Sequence, residues 1–300
     1  MGIVASLGKL PGAIYLANAL TVLERIEDSC IDLIYIDPPF NTGKTQRRDR
    51  LTTVRDTQGG RVGFGGQRYR TVKHSSVGYA DSFADYRAFL QPYLVHAHRV
   101  LKATGSLYVH IDYREAHYCK VWLDELFGRE NFINEIIWAY DYGGRPRRKW
   151  PPKHDTILFF AKDSNKYYFD TDEVERIPYM APGLVSAEKA KRGKLPTDTW
   201  WHTIVSPTGK EKLGYPTQKP LGILRRIIAA SCPPDGLAMD FFAGSGTTGA
   251  AALELGRRFL LVDSSEKAFE VMGRRFRATP QIKFVPTNCG ESLAPSMEAI

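Results

Sequence analysis

Leu33-Ile34-Tyr35-Ile36-Asp37-Pro38-Pro39-Phe40 is the stretch on which the reading of the chain turns. Its apolar, partly β-branched residues read as a buried strand. A carboxylate, two prolines and an aromatic follow where that strand must end. Pro38 and Pro39 fix φ and carry no backbone N–H, so the turn is stiff and offers acceptors without donors. Ionised Asp37 also only accepts, and Phe40 adds a flat face. Such a set suits a planar heterocycle with an exocyclic NH2: the amine donates to Asp37 and a proline carbonyl, and the ring stacks on Phe40. Taken alone, the same residues also read as an ordinary strand ending in a proline turn.

A second stretch lies 200 residues on: Ala238-Met239-Asp240-Phe241-Phe242-Ala243-Gly244-Ser245-Gly246-Thr247-Thr248-Gly249. It reads as a strand, a Gly-rich turn and the start of a helix. Gly244, Gly246 and Gly249 satisfy the dinucleotide-binding pattern, and Asp263 stands 19 residues past Gly244 as a ribose acid. An NAD(P)-dependent oxidoreductase therefore competes. Only about 60 residues remain from Asp240 onward, too few for a two-halved dinucleotide domain unless the chain is permuted. That reading also leaves residues 37–40 without a role.

Between and around these stretches, strand and helix alternate. Residues 14–26 read as a strand and an amphipathic helix, 83–101 as a helix bent or restarted at Pro92, and 106–112 as a strand. A helix over 114–127, strands over 133–140 and 156–161, a helix from Pro220 to about 231, a strand over 259–262 and a helix over 265–277 follow. The spacing predicts an α/β fold: a doubly wound, mainly parallel Rossmann-like sheet with helices on both faces. Residues 41–79 carry no periodic apolar pattern and seven glycines, which predicts an irregular, mobile loop that closes over the site.

The chain has 300 residues, 43% hydrophobic and 25% charged, as expected of a globular protein with a sizeable core. No stretch reaches the roughly 20 apolar residues of a membrane span. The four cysteines are far apart without a CxxC pair, which reads as reduced thiols in a cytoplasmic protein and no zinc site. The histidines form no metal set; His110, beside Asp112, reads as structural. Net charge is +8, and residues 41–80 hold nine basic side chains against two acidic ones. Lys44, Arg47 and Arg48 open that run. Arg145, Arg147, Arg148 and Lys149 form a second cluster. Basic excess gathered in loops points to a polyanionic partner.

Taken together, residues 37–40 and 242–246 resemble the S-adenosylmethionine-dependent amino-methyltransferases that act on nucleic-acid bases. Asp37, Pro38, Pro39 and Phe40 match the catalytic (D/N/S)PP(Y/F) tetrapeptide of that family, and residues 242–246 match its FxGxG cofactor loop. The order of parts is that of the β class, and the likeness runs from about residue 14 to about 277. It implies S-adenosyl-L-methionine as cofactor, held by Asp37, Asp240, Phe242, Ala243, Gly244, Ser245, Gly246, Thr247, Asp263 and Ser264. Thr217 and Lys219 of the Thr-Gln-Lys-Pro motif would hold its amino-acid end. Asn18 stands where the family often has an acid that reaches the cofactor's adenine, or it only caps the helix that follows.

The resemblance further implies a permuted motif order: a catalytic half over 1–162, a target-recognition segment over 163–215 and a cofactor-binding half over 216–300. Within the segment, Trp200, Trp201 and His202 either stack on bases or pack a small subdomain. The implied reaction is methyl transfer to adenine N6 in a specific double-stranded DNA sequence, by base flipping. Trp138 or Tyr140 is either a second wall for the base or plain core packing. An N4-cytosine enzyme, an RNA or protein-amide methyltransferase and a non-catalytic nucleic-acid-binding protein are the alternatives. A cognate restriction endonuclease and a homodimer come with the resemblance as further partners.

Overall fold

The computed structural model describes residues 2–55, 61–62, 67–206 and 209–286; within 44–53, 61 and 71–80 it describes the backbone alone. In chain order the elements are α1 (Ile3–Leu7), β1 (Gly12–Leu16), α2 (Ala19–Leu23), β2 (Ile31–Ile36), β3 (Lys44–Arg55), β4 (Arg61–Val62) and β5 (Arg68–Asp81). Then come α3 (Tyr86–Val100), β6 (Leu101–Ile111), α4 (Ala116–Phe127), β7 (Phe132–Ala139), β8 (His154–Ala161), α5 (Ala187–Arg192) and β9 (Thr199–Trp201). The chain continues through α6 (Leu221–Ser231), β10 (Leu237–Asp240), α7 (Thr247–Glu254), β11 (Arg258–Asp263), α8 (Glu266–Arg275) and β12 (Lys283–Val285).

Nine strands form one sheet in the order β12-β1-β11-β10-β2-β6-β8-β7-β9. Neighbours are parallel except where β8 runs against β6 and β7. β2 and β10 are buried along their whole length, which is why residues 33–36 and 237–239 read as short apolar runs. Two apolar cores flank the sheet. One takes residues of α1, α2, α3 and α4, the other those of α6, α7 and α8. The doubly wound architecture expected from the spacing is therefore what the chain builds.

The pairing of β2 with β10 positions everything else. Ala238 lies beside Leu33 and Met239 beside Ile34, so Asp37 and Asp240 leave the sheet at the same edge, from adjacent parallel strands. From β10 the chain crosses to β11 through α7 on one face, and from β2 to β6 through α3 on the other. Such a reversal opens a crevice at the carboxyl ends of the strands. At the opposite end, Asp32 accepts from the Leu237 N–H (2.9 Å) and pairs with Lys102, pinning β2 to β10 and β6.

Two sequence expectations are corrected. Residues 44–55 and 68–81 are not irregular: they pair antiparallel as β3 and β5, from Lys44 beside Asp81 to Arg55 beside Tyr69, with β4 on the far side of β5. Both strands are rich in polar residues, so no apolar stripe advertised them. α3 begins at Tyr86, with the Asp85 carboxylate accepting from the Ala88 N–H, and Pro92 is accommodated inside one helix. The segment 163–215 contributes β9 to the edge of the main sheet, so it is joined to the sheet by strand pairing. Likewise β1, from the first part of the chain, sits between β11 and β12. Among the described residues, no helix is long and apolar enough to cross a membrane.

Candidate active site

Each half of the site is a strand end. At the end of β10 the chain turns through residues 241–246, with Gly244 at φ +52 and Gly246 at φ +73, left-handed conformations that glycine adopts without strain. Asp240 braces the turn by accepting from the Phe242 N–H (3.0 Å) and the Thr248 hydroxyl (2.6 Å). Asp263, ending β11, accepts from the Gly244 N–H (2.7 Å) and the Ser265 N–H (2.8 Å). A side chain at Gly246 would run into Met272, and one at Gly249 into Leu261, so these glycines let α7 lie close on the sheet.

The turn forms one wall of a cleft that Asp37, Pro39, Thr217, Lys219, Asp240, Phe242, Ala243, Gly244, Ser245, Thr247, Asp263 and Ser264 all line. Gly246 stands behind the cleft. Residues that sequence reasoning missed complete it: Tyr35, Phe89, Tyr93, Tyr215 and Gln218. Phe89 and Tyr93 lie four apart on α3 and so share a face; that spacing was a readable signal. Thr217 adopts φ +54, an unusual conformation for a β-branched residue. Gln218 stitches this turn, accepting from the Leu213 N–H (2.9 Å) and donating to the Glu211 carbonyl (2.7 Å).

At the end of β2, Pro38 is buried and the Tyr86 hydroxyl donates to the Pro39 carbonyl (2.6 Å). Lys219 pairs with Asp37 Oδ2, and its ammonium lies 5.0 Å from the centre of the Phe40 ring. Asp37 Oδ1 is buried and has no hydrogen-bond partner. A second cavity opens on the far side of Lys219, lined by Phe40, Trp138, Tyr140, Tyr142, Asp112, His154 and Asp155 among others. Thr217, Gln218 and Lys219 line both cavities. Trp138 and Tyr140, weighed as a wall from the sequence, thus stand opposite the acidic turn. His110 proves to be more than a packed residue: it stacks on Phe40 at 5.9 Å and bonds to Tyr35 and Asp155.

Carboxylates and a lysine share the first cleft. Burial, with the charges of Asp37 and Asp263 adding to it against the bonds from Thr248 and Phe242, pushes the Asp240 carboxyl up to about 7. Burial likewise raises Asp263. Lys219 lines the cleft with three carboxylates, so a ligand with hydroxyls and a flat base fits the residues present.

Asn18 is exposed and does not line the cleft; its side chain accepts from the Leu20 N–H (2.9 Å) and caps α2, so its carbonyl is spent on the helix. The pair Trp200 and Trp201 divides its roles: Trp200 is buried, with Arg226 over its ring, whereas Trp201 is exposed. Arg145, Arg147, Arg148 and Lys149 lie exposed in the β7–β8 connection, whose Tyr142 and Pro152 border the second cavity. The side chains of Lys44, Arg47 and Arg48 lie outside the described ones. Cys30, Cys119 and Cys232 are free thiols, and Cys289 lies outside the described residues. Among the described residues, no group of three His, Cys, Asp or Glu side chains is placed to hold a metal.

Residues 31–274 match the family model described as DNA methylase (N6/N4 methyltransferases). The chain is 29% identical to type II methyltransferase M.HpaI of Haemophilus parainfluenzae, over 86% of this chain and 72% of that protein. It is also 29% identical to DNA adenine methyltransferase YhdJ of Escherichia coli (strain K12), over 86% of this chain and 80% of that protein. Among solved structures, the fold resembles the M1.HpyAVI–SAM complex (TM-score 0.56, 21% identity, covering 88% of this chain and 98% of that one). It equally resembles the cytosine-N4-specific PvuII DNA methyltransferase (TM-score 0.60, 16% identity, covering 89% of each chain). With the family model spanning most of its length, the chain belongs to the DNA methylases, the S-adenosylmethionine-dependent N6-adenine and N4-cytosine methyltransferases.

Proposed function

We propose that this protein methylates the exocyclic N6 of adenine within a specific double-stranded DNA sequence, after flipping that base into the cavity between Phe40, Trp138 and Tyr140. The observation that carries the reading is the unpartnered, buried Oδ1 of Asp37, which lines the first cavity and whose other oxygen pairs with Lys219, a residue that lines both cavities. A buried acceptor without a donor is costly, and an incoming NH2 group supplies one. S-adenosylmethionine, when bound, supplies the electrophilic methyl group on a sulfonium. Residues 242–246, Asp240, Asp263, Ser264, Thr217 and Lys219 are the ones that would hold it. Asp37 would face it within the same cleft.

The remaining work falls to the chain's own groups. An aromatic amine is a poor nucleophile because its lone pair is delocalised into the ring. Asp37 and the Pro38 carbonyl accept from the amine, localise that lone pair and offset positive charge as it develops. The Pro39 carbonyl is engaged by Tyr86, which leaves Pro38 for this task. Lys219 holds the other oxygen, Oδ2, and leaves Oδ1 for the amine. Phe40 stacks the base and fixes its angle of approach. Unstacking a base costs a few kcal/mol, offset by these contacts and by phosphate neutralisation from the basic arm and from Arg145, Arg147, Arg148 and Lys149. Residues 163–215 then serve target recognition. An aspartate before the two prolines and the adenine enzyme YhdJ among the relatives favour adenine over cytosine.

Transfer of labelled methyl groups tests the reading. Duplex DNA should become labelled, and nucleoside analysis should return N6-methyladenine. Asp37→Ala should lower transfer at least about 100-fold while cofactor binding is largely kept. N4-methylcytosine as product would replace adenine by cytosine, and label on RNA or protein alone would refute the proposal.

A further inference from the structure

We propose that Asp155 and His110 form a positioning pair that fixes the Phe40 platform and, through Tyr35 and Tyr140, ties the walls of the two cavities into one hydrogen-bonded chain; this rests on the target-base reading above. His110, on β6, is fully buried. Its ring is stacked with Phe40 (5.9 Å, 28° between planes) and meets Trp138 edge-on (5.4 Å, 86°). Its two nitrogens reach different strands: Nδ1 is 2.7 Å from the Tyr35 hydroxyl of β2, and Nε2 is 3.2 Å from Asp155 Oδ2 of β8. The other Asp155 oxygen accepts from the Tyr140 hydroxyl (3.0 Å).

The polarity of this chain follows from its acid. Burial raises the Asp155 carboxyl, but the bond from His110, the Lys219 charge and the Tyr140 bond outweigh it and hold the group below its ordinary value. An ionised carboxylate only accepts, so Nε2 of His110 carries the proton and donates. In the neutral imidazole Nδ1 is then bare, and the Tyr35 hydroxyl must donate to it. Rotating the ring by half a turn would put C–H groups against both partners. The imidazole therefore has a single orientation, and Phe40 lies against it. Phenylalanine would fill the same space without any need for partners. A histidine wired to two neighbouring strands instead holds one aromatic face at a set pitch. Tyr35 lines the first cleft, while Asp155 and Tyr140 line the second. A shift in either wall is thus felt in the other.

His110→Phe and Asp155→Asn test this. Both should keep cofactor affinity, by calorimetry, and the KM for DNA within about threefold of wild type. The single-turnover methylation rate should fall roughly 10- to 100-fold, the range expected when a reacting group is displaced by up to about 1 Å. Nitrogen-15 NMR of the wild-type imidazole should find the proton on Nε2, and Asp155→Asn should perturb that resonance. Variants that turn over at the wild-type rate would overturn the proposal. So would a parallel loss of rate, cofactor binding and melting temperature, which marks a merely structural role. Wild-type protein that transfers no methyl group to duplex DNA fails the functional reading instead, whatever the state of the imidazole.

Discussion

Asp240 carries a penalty that can be measured. Its carboxyl is pushed up to about 7 by burial, so between the ordinary carboxylate value and pH 7 the unfolded chain is ionised there while the fold keeps its proton. Stability should fall as pH rises through that window and level off above it, by a few kcal/mol at about 1.4 kcal/mol per pKa unit. Asn in its place can accept from the Phe242 N–H and donate its NH2 to the Thr248 hydroxyl, and has nothing to ionise. In cofactor-free protein, the melting temperature of wild type should therefore drop relative to Asp240→Asn between pH 4.5 and 8. Parallel curves would contradict it. This residue was legible as part of a motif because its neighbours in sequence are its neighbours in space. The Tyr35–His110–Asp155–Tyr140 chain was not. Its members come from three strands and the turn after β7, 75 and 45 residues apart in two of the bonds, and no local pattern marks them.

Among the elements, α7 shows how a motif glycine serves packing as well as the ligand. A Cβ at Gly249 would lie 2.8 Å from Leu261 Cδ1 and 3.0 Å from the Phe259 ring, both buried. Alanine is the better helix former by about 1 kcal/mol, but overpacking of this kind costs about 1–3 kcal/mol. Gly249→Ala should lower unfolding stability by about 1–2 kcal/mol. Gly273→Ala in α8, where nothing lies within 4 Å, should raise it by up to about 1 kcal/mol. Denaturant titration of the two variants checks both signs, and equal shifts would sink the argument. The helices and buried strands were readable because a core imposes period on them. The β3–β5 ribbon had no such imprint. Its Thr, Val and Tyr content was the usable sign, and its glycines argued the other way.

For the whole molecule, the pairing of β2 with β10 brings together two motifs 200 residues apart and sets them at one sheet edge. The same topology sends the chain out from β2 into the antiparallel ribbon before it returns through α3, so the arm that holds most of the net +8 springs from the residues directly after Phe40. Its return is fastened at the root: the Asn41 N–H donates to Asp81 (2.7 Å), and so does the Thr42 hydroxyl. If the proposed function holds, this basic arm, rooted directly after Phe40, runs along the phosphates beside the target nucleotide. Each phosphate contact adds about −0.9 to the slope of log K against log salt. Replacing Lys44, Arg47 and Arg48 by Gln should flatten that slope by about 2–3. Binding should weaken to a similar degree on cognate and unrelated duplexes, because phosphate contacts carry no sequence. Cofactor affinity should stay unchanged, since the cleft is walled by other elements. Affinity measured across a salt series on both duplexes decides it: an unchanged slope, or a loss confined to the cognate sequence, would place the phosphate contacts elsewhere.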